Sequence, residues 1–237
     1  MRTSSTICTE LVDRRGQRVQ LRWSARARRM VLKIDRATGA PLLVVPHGMP
    51  VSSAQAFLEQ HSDWLAAHVA RLPAPVLLQD GAIFPLRGCR VRIRHDPAAP
   101  RRPSLRHDAL LLGGPAEAVP GRLERWLREQ ARADVQARVT AYCAQLHVDA
   151  ARVSVKDTQR QWGSAAGSGA LSFSWRLVLA PPPVLAYVAA HEVAHLREMN
   201  HSGRFWTLVD TLVEDRRAAQ SWLRHHGPSL HRYVARL

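Results

Sequence analysis

The feature that most limits what this chain can fold into is a pair of histidines set four residues apart in an uninterrupted apolar segment. The pair is His191 and His195, in the run HEVAH, and residues 184–199 contain neither glycine nor proline. Residues four apart lie on one face of an α-helix, one turn apart. The spacing therefore predicts a buried helix on which both imidazoles reach a single metal ion.

Glu192 indicates that this histidine pair belongs to a site that acts on a metal-bound water. On the predicted helix its side chain projects about a third of a turn away from that of His191, so it can hold a water molecule on the metal ion instead of binding the ion itself. The alternative is a pair of ordinary histidines on a core or surface helix. The adjacent glutamate and the apolar flanking residues favour the metal site.

A third ligand is needed, because a catalytic zinc ion has three protein ligands and one open position for water. His201 is the predicted ligand, since Asn200 before it is suited to end a helix in the left-handed conformation and a tight turn there can return the imidazole to the metal. The competing choice is a carboxylate on the following helix. Its candidates are Asp210, Glu214 and Asp215.

The rest of the chain predicts a mixed α+β fold in two lobes. Alternating or continuous apolar runs predict strands at 17–23, 28–35, 41–46, 90–94, 110–112, 152–156 and 170–179. Helices are predicted at 52–71, 121–146 and about 181–199, after His201, and near 218–226. We expect a β-rich, basic N-terminal lobe over residues 1–115 and an α+β catalytic region over residues 116–237.

The run from Trp162 to Val209 resembles the YgjP-like metallopeptidase-domain family, distant relatives of the SprT-like proteases. The family pattern reads W-G-S-C, a glycine, F-N-W-R-L, H-E-x-x-H-L and N-H-S-x-x-F-W. It is matched here at Trp162, Gly163, Ser164, Phe173, Trp175, Arg176, Leu177, His191, Glu192, His195, Asn200, His201, Ser202, Phe205 and Trp206. Ala165 and Ser174 depart from it, where the family has Cys and Asn. Looser similarity in RARRMVLKID, FLEQHSDWL and QDGAIFPLRG extends the resemblance over most of the chain.

This resemblance implies a zincin-like fold, with His191, His195 and His201 as ligands of Zn²⁺ and Glu192 as the general base. The main interpretation is therefore a zinc-dependent metallopeptidase that hydrolyses peptide or protein substrates with a metal-activated water. A zinc-stabilised binding module without turnover is an alternative. Glu192 argues against it, because a structural zinc site has no use for a base.

A second alternative is a nucleic-acid-associated protein, whose basic lobe binds DNA or RNA while the zinc site processes proteins held there or is only structural. It rests on a net charge of +7 over residues 1–50, where one short stretch holds Arg22, Arg26, Arg28 and Arg29. The plainer interpretation of the same residues is a solvated strand edge or loop.

Three further expectations concern the surroundings of the site. The donor for the oxyanion stays open among six residues, namely Tyr187, Arg160, Arg176, His225, His226 and Tyr233. Five aromatic residues are predicted to pack beneath the site, namely Trp162, Phe173, Trp175, Phe205 and Trp206. A substrate strand is expected to add to a sheet edge such as residues 170–174.

The expected compartment is the cytoplasm. The first residues show no apolar segment followed by a cleavage site, and no apolar run approaches the roughly 18 residues of a membrane span. The cysteines, Cys8, Cys89 and Cys143, are odd in number and never spaced C-x-x-C. That pattern argues against a disulfide framework and against a cysteine zinc site.

Overall fold

The computed structural model describes residues 9–35, 39–72 and 74–236. The chain divides at Pro75 and Val76 into two compact units, which we call the N-terminal unit and the C-terminal unit. Both mix helices with small sheets, so the predicted α+β class is confirmed. None of the helices in these residue ranges is both long and apolar enough to cross a membrane.

The N-terminal unit is a four-stranded sheet with two helices. Its strands are β1 (Thr9–Val12), β2 (Arg18–Ser24), β3 (Val31–Ile34) and β4 (Pro41–Pro46), in the order β1-β2-β4-β3. Alternate residues of β2 are buried, so one face of the sheet packs against α1 (Val51–Gln60) and α2 (Ser62–Ala70). The single helix predicted over 52–71 is interrupted at His61, where the Ser62 hydroxyl donates to the carbonyl of Glu59.

The C-terminal unit begins with a strand pair that joins distant parts of the chain. Strand β5 (Val76–Leu77) pairs in parallel with β13 (Tyr233–Val234). A four-stranded sheet follows, in the order β6-β7-β9-β8, built from β6 (Ile83–Leu86), β7 (Cys89–His95), β8 (Ser104–Arg106) and β9 (Ala109–Leu112). The expected boundary near residue 115 therefore differs from the observed one, because these strands share one hydrophobic core with the helices that follow.

The elements that carry the site occupy the rest of this unit. They are α3 (Val119–Leu146), β10 (Arg152–Lys156), β11 (Gly163–Ala165), β12 (Ala170–Ser174), α4 (Pro182–Ala194), α5 (Gly203–Leu212) and α6 (Arg216–Leu230). Strand β12 lies in the middle of a three-stranded sheet, parallel to β10 and antiparallel to β11. The strand predicted over 170–179 ends at Ser174, and residues 175–179 form a buried 3-10 turn. A continuous apolar run does not distinguish these two structures.

Helix α4 is buried on nearly all sides. It begins at Pro182, where the missing N–H costs no helical hydrogen bond, and every residue from Val184 to Ala194 except His191 is buried. The helix ends at Ala194 and not near Met199 as predicted. The tight turns that follow, in which the N–H groups of Leu196 and Arg197 donate to the carbonyls of Val193 and Ala194, redirect the chain toward His201.

Cys89 and Cys143 are both free thiols, and Cys8 lies outside the described residues.

Candidate metal centre

Three histidines converge at the end of α4. His191 and His195 extend from the helix and are half-buried, while His201 is exposed and follows the turns after it. One ring nitrogen from each lies within 4.8 Å of the others, and Nε2 of His191 is 3.1 Å from Nε2 of His201. Two nitrogen ligands of a tetrahedral zinc ion lie about 3.3 Å apart at the usual Zn–N distances. The separation of the His191 and His201 nitrogens is close to this value.

Phe205 forms the floor beneath the three imidazoles. Its ring is fully buried, and its centroid lies 4.9 Å from that of His191, 4.5 Å from His195 and 4.7 Å from His201. The first turn of α5 fixes this position, because the backbone N–H of Phe205 donates to the hydroxyl of the capping residue Ser202. The loop that brings His201 to the site is therefore anchored immediately after the histidine.

Two of the three imidazoles, those of His191 and His195, have lowered pKa values, which favour the neutral form that a metal ion requires. Burial, with smaller contributions from the neighbouring rings of His195 and His201, lowers the pKa of His191 to about 4. Burial also lowers the pKa of His195. Nδ1 of His195 lies 3.2 Å from the carbonyl oxygen of Glu198, so that nitrogen carries the proton and Nε2 is left as the metal-binding atom.

Glu192 follows His191 in the chain, and its carboxyl is buried. Its side chain is only 5% exposed, and burial raises its pKa to about 7. The carboxyl lies against β11, where a methyl group on Gly163 would approach Oε1 of Glu192 to 2.5 Å. A carboxyl with a pKa near neutrality can both accept and return a proton at physiological pH.

Strand β11 forms one edge of the three-stranded sheet, and this edge lies next to Glu192. The substrate edge expected at residues 170–174 is therefore corrected. Those residues form β12, which is paired on both sides. The N–H of Ser174 donates to the carbonyl of Trp162, and Ser164 lies opposite Ser172. In an antiparallel pair the hydrogen-bonding residues alternate, so the backbone groups of Gly163 and Ala165 point away from the sheet.

The competing carboxylates lie away from the three imidazoles. Asp210 forms an ion pair with Arg216, with 2.6 Å between Oδ1 and Nε. Asp215 accepts the N–H of Ala218 and caps α6. Glu214 lines a cleft of about 530 Å³ at the opposite end of α4, beside Pro182. Within the described residues, the three histidines are the group that brings metal-binding atoms together.

The six oxyanion candidates are mostly engaged elsewhere. Tyr187 is buried, its hydroxyl accepts a hydrogen bond from Gln220, and its ring lies 6.0 Å from that of His191. Buried Arg176 is paired with Asp157. His225 and His226 each direct Nδ1 at a carbonyl of their own helix, Arg160 is exposed, and Tyr233 is half-buried in β13. Tyr187 is thus the candidate whose ring contacts a member of the histidine cluster.

The five aromatic residues pack as predicted. Phe173, Trp175 and Phe205 are buried in the core, and Trp162 and Trp206 pack against it. Of the two departures from the family pattern, Ala165 ends β11, and Ser174 ends β12 as a fully buried residue. The sequence did not reveal β11 or the contact between Gly163 and Glu192. The glycine in the W-G-S run was the available signal, since an isolated glycine in a strand often marks a close approach.

The chain is similar to known metallopeptidases in two comparisons. The family model described as YgjP-like, metallopeptidase domain, matches residues 28–226. Among solved structures, the metallopeptidase zymogen abylysin of Pyrococcus abyssi is similar over 42% of this chain and 98% of its own, with 19% identity and a TM-score of 0.35. No curated protein matches the chain in sequence.

Proposed function

The chain belongs to the YgjP-like metallopeptidase-domain family, and from this premise we propose that it is a zinc-dependent peptidase with a zincin-like C-terminal unit. Membership of the family implies a peptidase, which acts on peptide or protein substrates. The observation that carries the proposal is the convergence of three imidazole nitrogens within 4.8 Å, with a buried glutamate next to His191 in the chain. His191, His195 and His201 are the proposed zinc ligands.

In the proposed reaction Glu192 is the general base and then the general acid. A bound zinc ion would lower the pKa of its water to about 7 and would polarise the scissile carbonyl. Glu192 takes a proton from the attacking water and delivers it to the leaving amine. Its burial supports this role, because a carboxyl with a pKa of about 7 is well matched to both transfers.

The substrate is proposed to lie along β11 as an added antiparallel strand. The outward N–H and C=O groups of Gly163 and Ala165 are suited to bind an extended backbone. Because Glu192 lies against Gly163, a peptide on this edge would pass the proposed base. Such main-chain recognition depends little on the side chains of the substrate.

The test compares the wild type with Glu192→Gln. Glutamine has nearly the same size but cannot accept a proton near neutral pH, so the zinc-loaded variant should keep one zinc per chain and should be no less stable to heat than the wild type. Cleavage of a peptide library should fall about 10²–10⁴-fold. Full activity with normal zinc would identify another base, and loss of zinc would make Glu192 structural. A wild type that cleaves nothing would favour the binding module.

A second candidate function is nucleic-acid association through the N-terminal unit. Arg22, Arg26, Arg28 and Arg29 are all exposed. No carboxylate of the described ranges lies within ion-pair distance of any of the four. Unpaired arginines grouped at the end of β2 and in the loop after it suit phosphate groups. The peptidase site would then act on proteins held on nucleic acid.

A further inference from the structure

Gly163 lies where any side chain would collide with Glu192. A methyl group built on it would be 2.5 Å from Oε1, 2.6 Å from Cγ and 2.8 Å from Cδ of Glu192. An ordinary contact is at least 3.4 Å, so the carboxyl would have to retreat by about 1 Å. The side chain of Glu192 therefore occupies the space that a Cβ atom at position 163 would need.

The conformation of the backbone does not explain the glycine. Glycine is needed where φ is positive, and seven other glycines of the described chain have such values while Gly163 does not. Gly163 is an ordinary strand residue paired opposite Phe173, and a glycine in a strand interior weakens the strand. What the position requires is room for its neighbour on α4.

The residue before Gly163 packs against α6. A methyl group on Gly227 would lie 3.0 Å from the indole of Trp162, and the ring of buried His231 lies 5.1 Å from that indole. Trp162 immediately precedes Gly163, so the packing of its indole against α6 fixes where β11 begins. A side chain at position 163 could not be accommodated by moving the strand without disturbing this contact.

We propose that Gly163 is a positioning residue for Glu192: its missing side chain gives the carboxyl its place between α4 and β11. The inference deepens the proposed function and rests on it for the catalytic role of Glu192. The packing itself does not depend on that role. A residue of any other type at position 163 would move the carboxyl relative to the three imidazoles.

The first measurement is peptide cleavage by Gly163→Ala, with Gly167→Ala as the matched control. Gly167 lies in the turn after β11, has no positive φ, and a methyl group there meets nothing within 4 Å. Gly163→Ala should retain one zinc per chain and lose about 10²-fold in kcat, as expected for a group misplaced by about 1 Å. Gly167→Ala should behave as the wild type. In the Glu192→Gln background Gly163→Ala should cause no further loss.

The second measurement is thermal unfolding, which needs no activity. Gly163→Ala should lower the unfolding midpoint of the otherwise wild-type protein by about 5 °C through overpacking. In the Glu192→Ala background the methyl group has room, so most of that loss should disappear. If Gly163→Ala does not fold alone, recovery of folding with Glu192→Ala supports the proposal equally.

The outcomes separate this inference from the peptidase assignment. If Gly163→Ala lowers the unfolding midpoint equally in the wild-type and Glu192→Ala backgrounds, the positioning role is overturned. Full activity or loss of zinc in Gly163→Ala would overturn it as well. If the wild type cleaves no peptide while the two substitutions remain coupled in stability, the proposed function fails and the packing role of Gly163 stands.

Discussion

Replacing Glu192 by glutamine should make the metal-free protein more stable at and above neutral pH, by an amount set by the burial of this carboxyl. Burial raises the pKa of Glu192 from 4.5 to about 7. Each unit of pKa shift corresponds to about 1.4 kcal/mol. The ionised carboxylate therefore costs the folded metal-free protein about 3 kcal/mol in unfolding free energy, and glutamine carries no such charge.

The sign follows from which state binds the proton. Between pH 4.5 and about 7 the folded protein keeps a proton on Glu192 that the unfolded chain has released. The stabilisation is thus fully present below the unfolded pKa and is lost as the pH rises through the folded pKa. His191, with a folded pKa lowered to about 4, contributes in the opposite direction as the pH falls below its ordinary value. That contribution is common to both proteins and cancels in their difference.

The assay is urea unfolding of both proteins after removal of metal by a chelator, from about pH 5 to about pH 8. The unfolding free energy of the variant minus that of the wild type should rise with pH. It should level off about 3 kcal/mol above its value at acid pH. Parallel stability curves would show that the carboxyl is not held in a desolvated environment. The assignment of Glu192 as a base tuned by burial would then lose its support.

Two further predictions concern the metal ligands and the arginines. His191→Ala or His195→Ala should abolish stoichiometric zinc binding, and His201→Ala should weaken it greatly. Asp210→Ala should leave zinc bound, because Asp210 is paired with Arg216. If metal analysis shows that Asp210→Ala loses zinc while His201→Ala keeps it, His201 is not the third ligand. Nucleic-acid binding, measured by fluorescence anisotropy, should weaken steeply with increasing salt and on charge reversal of Arg22, Arg26, Arg28 and Arg29. An affinity that changes with neither salt nor charge reversal would show that the N-terminal unit does not bind nucleic acid through these arginines.

The local part of the site could be predicted from the sequence. The spacing of His191 and His195 lies within one helix, and helical geometry alone places both imidazoles on one face. Asn200 was expected to end the helix in the left-handed conformation, but the helix ends at Ala194 and Asn200 has no positive φ. The structure nevertheless places His201 beside the other two histidines, as predicted. These inferences involve residues close together in the chain, where backbone geometry leaves few arrangements.

The features that the sequence could not reveal depend on contacts between distant residues. Nothing near Gly163 indicates that Glu192 will lie against it, because α4 and β11 meet only in the folded unit. The apolar run at 170–179 is buried throughout, so its pattern did not distinguish a strand from the 3-10 turn that begins at Trp175. The boundary between the units also depends on pairing across the chain, since β5 at residue 76 belongs with β13.

The pairing of β5 with β13 has a consequence for the order in which the C-terminal unit is assembled during synthesis. Val76 and Leu77 are among the first residues of the unit to leave the ribosome, and their partners Tyr233 and Val234 are among the last. Helices α3 to α5, with all three histidines, emerge before that strand pair can close. The nascent chain can therefore gather its imidazoles while β5 still lacks its partner, and the unit reaches its complete fold only after nearly all of it has been translated.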